Sequence, residues 1–244
     1  MQIKLTLIIK IANLMTDYKR RCNMRNTGYV KVWGANNQIV IIEDGMERIL
    51  GPEGLPGLSI TINGNNNLIR IELPRYFEDC KLVIVGDNNY FSILSTYNKT
   101  KIKRAFFYIS DGCSIEIGRN CYFNNGVTMM AKEKAGVKIV IGDDCVIASE
   151  CTFRCGDGHT LINEYNGNPL NEPDDIIIED HVWVGVRCLL LKGTYIAENS
   201  VVGAMALVNK KFDIPNVLVA GVPAKIIKSG INWDIADYKT YMDE

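Results

Sequence analysis

An apolar residue returns every sixth position along part of this chain, first as Ile141, Ile147 and Phe153, then as Ile178, Val184, Leu190, Ile196, Val202 and Val208. Compact residues stand four places further on in most of these units, at Cys145, Cys151, Val182, Cys188, Thr194, Ser200 and Ala206. Six is an even number, so strand alternation returns each leading side chain to the same face, and the compact residue lets the chain turn before the next short strand. Three such strands make a coil of roughly 18 residues. Like positions then stack between coils into an aliphatic column that no single repeat could bury alone. The pattern calls for an all-β solenoid, a parallel β-helix.

Upstream the same logic is degenerate, at Ile117-Gly118 with Cys121, at Phe123 with Val127, and at Met129, and the frame resumes at Ile141 after a small loop at 132–136. Farther upstream a Gly-x-Asn-Asn-x-apolar-x-Ile unit occurs at 34–41, 64–71 and 86–93. Gly and Asn tolerate the left-handed backbone angles that tight corners need, so residues 34–93 read as irregular coils of the same solenoid. The expected organisation is an N-terminal cap over 1–27, a β-helix over 28–215 with regular coils from 109 to 208, and a C-terminal tail over 216–244, helical or not.

The six-residue clock places a start at His159, and the next clean start is Ile178. Between them the Asn-, Gly-, Pro- and acid-rich segment 160–175 reads as a loop thrown out from the coil, and loops on a rigid scaffold are where binding and catalysis concentrate. The chain has two histidines. His159 follows Cys155-Gly156-Asp157-Gly158, where backbone freedom and a nearby carboxylate suit an oriented base. The plain alternative for either histidine is a structural role, and it is the better reading for His181, which lies inside a regular hexad.

With 27 basic and 28 acidic residues the net charge is −1, which gives no global attraction to nucleic acid or to an anionic membrane. The short apolar start carries no cleavage signal, and no stretch approaches the roughly 20 apolar residues of a membrane span, so the cytoplasm is the expected compartment. Of eight cysteines, Cys121, Cys145, Cys151 and Cys188 fall in the compact inward phase and read as buried hydrophobes rather than as disulfides or metal ligands.

These motifs carry a family likeness. Asp157-Gly158-His159, the polar loop, the run from Ile178 through His181 and Trp183 to Gly185, Leu191-Lys192-Gly193, Ser200 to Ala204, and Ala220 to Lys225 resemble hexapeptide-repeat O-acetyltransferases that modify capsule, lipopolysaccharide and polysialic acid. The likeness spans roughly residues 109 to 233 and is weak upstream. It implies a left-handed parallel β-helix, a homotrimer with active sites between neighbouring subunits, acetyl-CoA as co-substrate without a metal, and a bacterial surface saccharide as acceptor. It also implies that the histidine after the Asp-Gly pair is the base, and that a tryptophan 24 residues later meets the thioester end of coenzyme A; His159 and Trp183 have this spacing.

A sugar hydroxyl is a weak nucleophile, so a base must take its proton as it attacks the thioester. His159 is the candidate, with Asp157 as a possible orienter of the imidazole or a solvated turn residue. The oxyanion needs donors already in place, for which a backbone N–H beside Gly185 or the Trp183 indole is available. Lys210, Lys211 and Lys225 are candidates for the coenzyme A phosphates, with solvated surface as the alternative. Gly203 and Ala204 would let the pantetheine arm lie against backbone, with plain turn geometry as the alternative. A β-helix carbonic anhydrase would need three histidines for zinc. A sugar nucleotidyltransferase would need a Gly-rich nucleotide-binding domain. N-acetylation of an amino sugar, or a catalytically silent binding solenoid, remain as alternatives.

Overall fold

A computed structural model describes residues 28–97 and 99–243; the cap segment at 1–27 lies outside the described residues. The described chain winds through three sheets, visiting each in turn. The first face carries eight strands, from Val30–Trp33 to Leu207–Val208, and the second nine, from Gln38–Glu43 and its partner Met46–Ile49 to Lys211–Phe212. The third has six, from Tyr122–Phe123 to Ala224–Ser229, preceded by the short ladder of Phe77–Glu78 with Ile102–Lys103. Strands on adjacent coils pair in parallel; Met46–Ile49 and Ala224–Ser229 turn back antiparallel at the two ends.

The hexad leaders are the core. All nine, from Ile141 to Val208, are at most 1% exposed, and they stack leader on leader: Ile178 on Ile196, Val184 on Val202, Leu190 on Val208. Each of these pairs is 18 residues apart, the expected coil. Upstream the coil is longer than the sequence reading had it: Phe107 stacks on Met129, and Ile115 on Ile139, with 22 and 24 residues per turn. The strands there are longer and the corners hold extra residues, which is why the six-residue clock fades although the column continues. The chain rejoins its coil only 37 residues on where Phe153 pairs with Leu190, and segment 160–175 fills the excess.

The corners explain the compact residues. Among the described residues seven cysteines are free and buried, and Cys121, Cys145, Cys151 and Cys188 stand at corners between strands. The Asn-rich units solve the same corner differently. Asn36, Asn66 and Asn88 take φ of 58°, 57° and 59°, turning the chain, and the next residue fills the corner. Asn67 Nδ2 donates to Asn37 Oδ1 at 2.9 Å, and Asn89 Nδ2 donates to Asn67 Oδ1 at 2.9 Å. Asn89 Oδ1 then accepts the Gly112 N–H at 3.0 Å. A buried amide with every arm matched costs nothing further, so the ladder clamps irregular coils that lack the hexad.

The β-helix also runs past residue 215. Val217–Gly221 pairs with Val201 and Val202 on the third face, and Ala224–Ser229 folds back on it, before a short helix at Tyr238–Asp243. The hexad ends early in the sequence because Val219 follows its partner Val202 by 17 residues instead of 18, which breaks the clock without breaking the column.

Candidate active site

The histidine junction sits where the chain leaves the first face, after Thr152–Arg154, and before it joins the second at Ile176–Ile178. Gly158 has φ +88°, a conformation that L side chains rarely adopt, so the turn into His159 depends on glycine. Its N–H donates to Glu133 Oε2 of the preceding coil at 3.1 Å, which anchors the junction from below. His159 itself is exposed.

Asp157 does something other than orient the imidazole. Lys192 Nζ, from the following coil, donates to Asp157 Oδ2 at 2.6 Å, and Asn171 Nδ2 donates to the same oxygen at 2.7 Å. These two contacts, Lys192 first, hold the carboxyl below its ordinary range, so it stays charged. Asn171 also donates to the His159 carbonyl at 2.8 Å and accepts the Leu161 N–H at 2.8 Å. It therefore pins the backbone on both sides of Thr160. Beyond it the loop forms a narrow excursion, bridged at Ile162 and Pro169, that exposes Leu161, Ile162, Tyr165 and Leu170.

Trp183 lies elsewhere, on the third face, 42% exposed. The tail brings Trp233 beside it, ring centres 6.2 Å apart, and Trp233 stacks on His181 at 4.4 Å with an interplanar angle of 11°. Trp233 Nε1 donates to the His181 carbonyl at 2.8 Å. His181 has φ +54°, a corner residue, and its Nδ1 lies 3.0 Å from Asn199 Oδ1. Trp233 was not among the sequence candidates. Nothing in its local sequence marks it, because its partner is 52 residues away in the chain.

Gly185 and Gly203 end successive strands of the third face. A Cβ on Gly185 would come within 2.7 Å of the Ala204 backbone nitrogen, and one on Gly203 within 2.9 Å of the Ala220 Cβ. Coil stacking thus requires small residues here whatever binds outside. The Gly185 N–H donates to the Val202 carbonyl at 2.8 Å, so that donor is engaged within the sheet, and the Trp183 indole is the freer of the two oxyanion candidates. Ala204 follows at the corner leading back to the first face, and Lys225 lies in the terminal hairpin of the third. Lys210 and Lys211 stand at the same corner as His159, with Lys210 Nζ over the Phe212 ring at 5.3 Å. Among the described residues no group of three or more His, Cys, Asp or Glu could hold a metal ion.

The candidates therefore divide. Asp157, His159, Lys210 and Lys211 occupy the corner between the first and second faces; Trp183, Gly185, Gly203, Ala204 and Lys225 occupy the third face and its trailing corner. A three-faced coil puts the first group opposite the second.

No protein-family profile matches the sequence. The fold matches the crystal structure of the polysialic acid specific acetyltransferase NeuO, with TM-score 0.73 and 28% identity over 87% of this chain and 91% of that one. A solenoid of this geometry is a left-handed parallel β-helix of the hexapeptide-repeat class. The polysialic acid O-acetyltransferase of Neisseria meningitidis is 32% identical over 198 residues, 73% of this chain and 91% of that protein. The chain belongs to the hexapeptide-repeat O-acetyltransferase family. The galactoside O-acetyltransferase of Escherichia coli K12 is 36% identical over 121 residues, and there the match spans only 57% of the relative's length and 50% of this chain.

Proposed function

We propose that the protein transfers an acetyl group from acetyl-CoA to a hydroxyl of a bacterial surface saccharide, with His159 as general base, in a site completed by a second copy of the chain within a homotrimer. The carrying observation is the division of the candidates between opposite sides of one coil. Rotation about an axis parallel to the solenoid would bring the His159 corner of one copy against the Trp183 face of the next, joining the two groups. The exposed apolar loop residues Leu161, Ile162, Tyr165 and Leu170 would gain cover in the same contact.

Acetyl-CoA supplies an activated thioester. The acceptor oxygen attacks the thioester carbonyl carbon while the imidazole of His159 takes the hydroxyl proton, and the resulting oxyanion is met by the Trp183 indole N–H. As the carbon–sulfur bond breaks, the sulfur takes a proton back from the imidazolium, leaving an acetyl ester and the free thiol. Lys210, Lys211 and Lys225 offer cations to the phosphates on the C-terminal side. Free buried cysteines fit a reducing cytoplasm, the compartment we assign. Among the described residues no helix is long and apolar enough to cross a membrane.

The test is His159→Ala, assayed with acetyl-CoA and a saccharide acceptor by mass spectrometry for gain of an alkali-labile acetyl group. The expected loss in kcat is at least about 10²-fold, with acetyl-CoA binding close to wild type. Retention of more than about a tenth of turnover excludes His159 as the base.

A further inference from the structure

On the third face, towards the N-terminal end, lies a cavity of about 750 Å³ bordered by Lys101, Lys103, Arg104, Tyr122, Asn124 and Asn125, with Glu78 at its edge. We infer that this cavity is the acceptor subsite and that it takes an acidic saccharide, whose carboxylates and hydroxyls it reads through hydrogen-bond donors. The inference rests on the acetyl-transfer reading and names its substrate class.

Charge is the first observation. The lining carries three cations against the single carboxylate of Glu78, so it is locally positive in a chain whose net charge is −1. Lys101 Nζ meets Glu78 Oε2 at 3.3 Å, which leaves Lys103 and Arg104 as the surplus.

The second observation is how the amides are committed. Asn125 Oδ1 accepts from Arg104 Nε at 2.7 Å, and Asn124 Oδ1 accepts the Asn125 N–H at 3.0 Å. Each amide oxygen already accepts one hydrogen bond within the protein, and among the described residues neither NH₂ group is committed to a partner, so both stand available as donors. Cations and amide donors together make a surface suited to oxygen acceptors, and Tyr122 adds an amphipathic ring for a sugar face.

Position is the third. Tyr122 pairs with Val146 and Val146 pairs with Trp183 in parallel register, all three directed away from the buried column. Two strand spacings of about 4.8 Å put the Tyr122 ring roughly 10 Å along the same face from the Trp183 indole. A saccharide chain held in the cavity would thus have its next units at the indole. The candidate phosphate-binding lysines lie towards the other end of the solenoid.

The probe is a sialic acid oligomer, with Lys103→Glu as the reversing variant and Lys103→Arg as the charge-keeping one. For Lys103→Glu we expect the KM for the oligomer to rise by about tenfold or more, while the KM for acetyl-CoA stays within about twofold; Lys103→Arg should stay near wild type. Salt should raise the wild-type KM for the oligomer and have less effect on the Glu variant. An unchanged oligomer KM in Lys103→Glu overturns the assignment. So does a rise confined to acetyl-CoA, which would give the cavity to the cofactor's phosphates. Oligomer binding measured by calorimetry without acetyl-CoA separates the two readings. Binding that Lys103→Glu abolishes, with no transfer by wild type, keeps the subsite and refutes the catalytic reading; transfer by wild type with binding unaltered in the variant does the reverse.

Discussion

Asp157, Lys192 and Asn171 show how a single carboxylate organises the histidine junction without touching the imidazole. The Lys192 ammonium and the Asn171 amide both act on Asp157 Oδ2, and Asn171 passes the constraint to the His159 carbonyl. Asn171→Ala should lower kcat/KM by about 10-fold while the imidazole remains, because a displaced base loses alignment before it loses basicity. The sign of the pH effect follows from the depressed carboxyl. Its folded-state pKa lies below the unfolded value, so the clamp is fully present above the ordinary carboxylate range and is lost only as pH falls through the lower, folded value. Amide hydrogen exchange at Leu161, whose N–H donates to Asn171, should be insensitive to pH-driven opening from pH 8 down to about 5 and accelerate beyond the intrinsic trend only in stronger acid. Opening that begins near neutrality would contradict the clamp. The sequence brought Asp157 and His159 to notice by their place at a broken repeat. It could not show Asn171 as their link, since that bond depends on the return path of the loop.

At the scale of the strand and its corner, six-residue periodicity was legible because alternation and stacking force the same residue kind at the same phase. Leu190 illustrates the energetic side: fully buried, it sits between Phe153 and Val208 on the first face. Leu190→Ala should cost about 2–5 kcal/mol in reversible chemical denaturation, whereas Leu189→Ala, one residue along and half-buried on the outer side, should cost clearly less. Equal losses would mean that the column is not what holds the coil. Longer corners hid the upstream coils from the six-residue count. The Asn units could still be recognised as corners because left-handed backbone favours Gly and Asn, but their interlocking amides could not, since each ladder rung joins residues 22 or 30 apart. Trp233 escaped notice for the same reason: its contacts with His181 and Trp183 are made by a tail that the repeat does not describe.

For the whole molecule, the arrangement of faces matters more than any one residue. His159 and Trp183 have the family spacing in sequence, yet the coil carries them on different sides, and only the meeting of two copies would unite them. Mixing inactive variants tests this directly. His159→Ala and Trp183→Ala chains, each assayed alone at acetyl-CoA well below its KM, should be strongly impaired. Co-expressed in equal amounts so that mixed assemblies form, they should regain activity well above the sum of the two, approaching the roughly one quarter of interfaces that random assembly gives an intact histidine facing an intact tryptophan. Activity of the mixed assemblies no greater than the average of the two separate variants would contradict a site shared between copies.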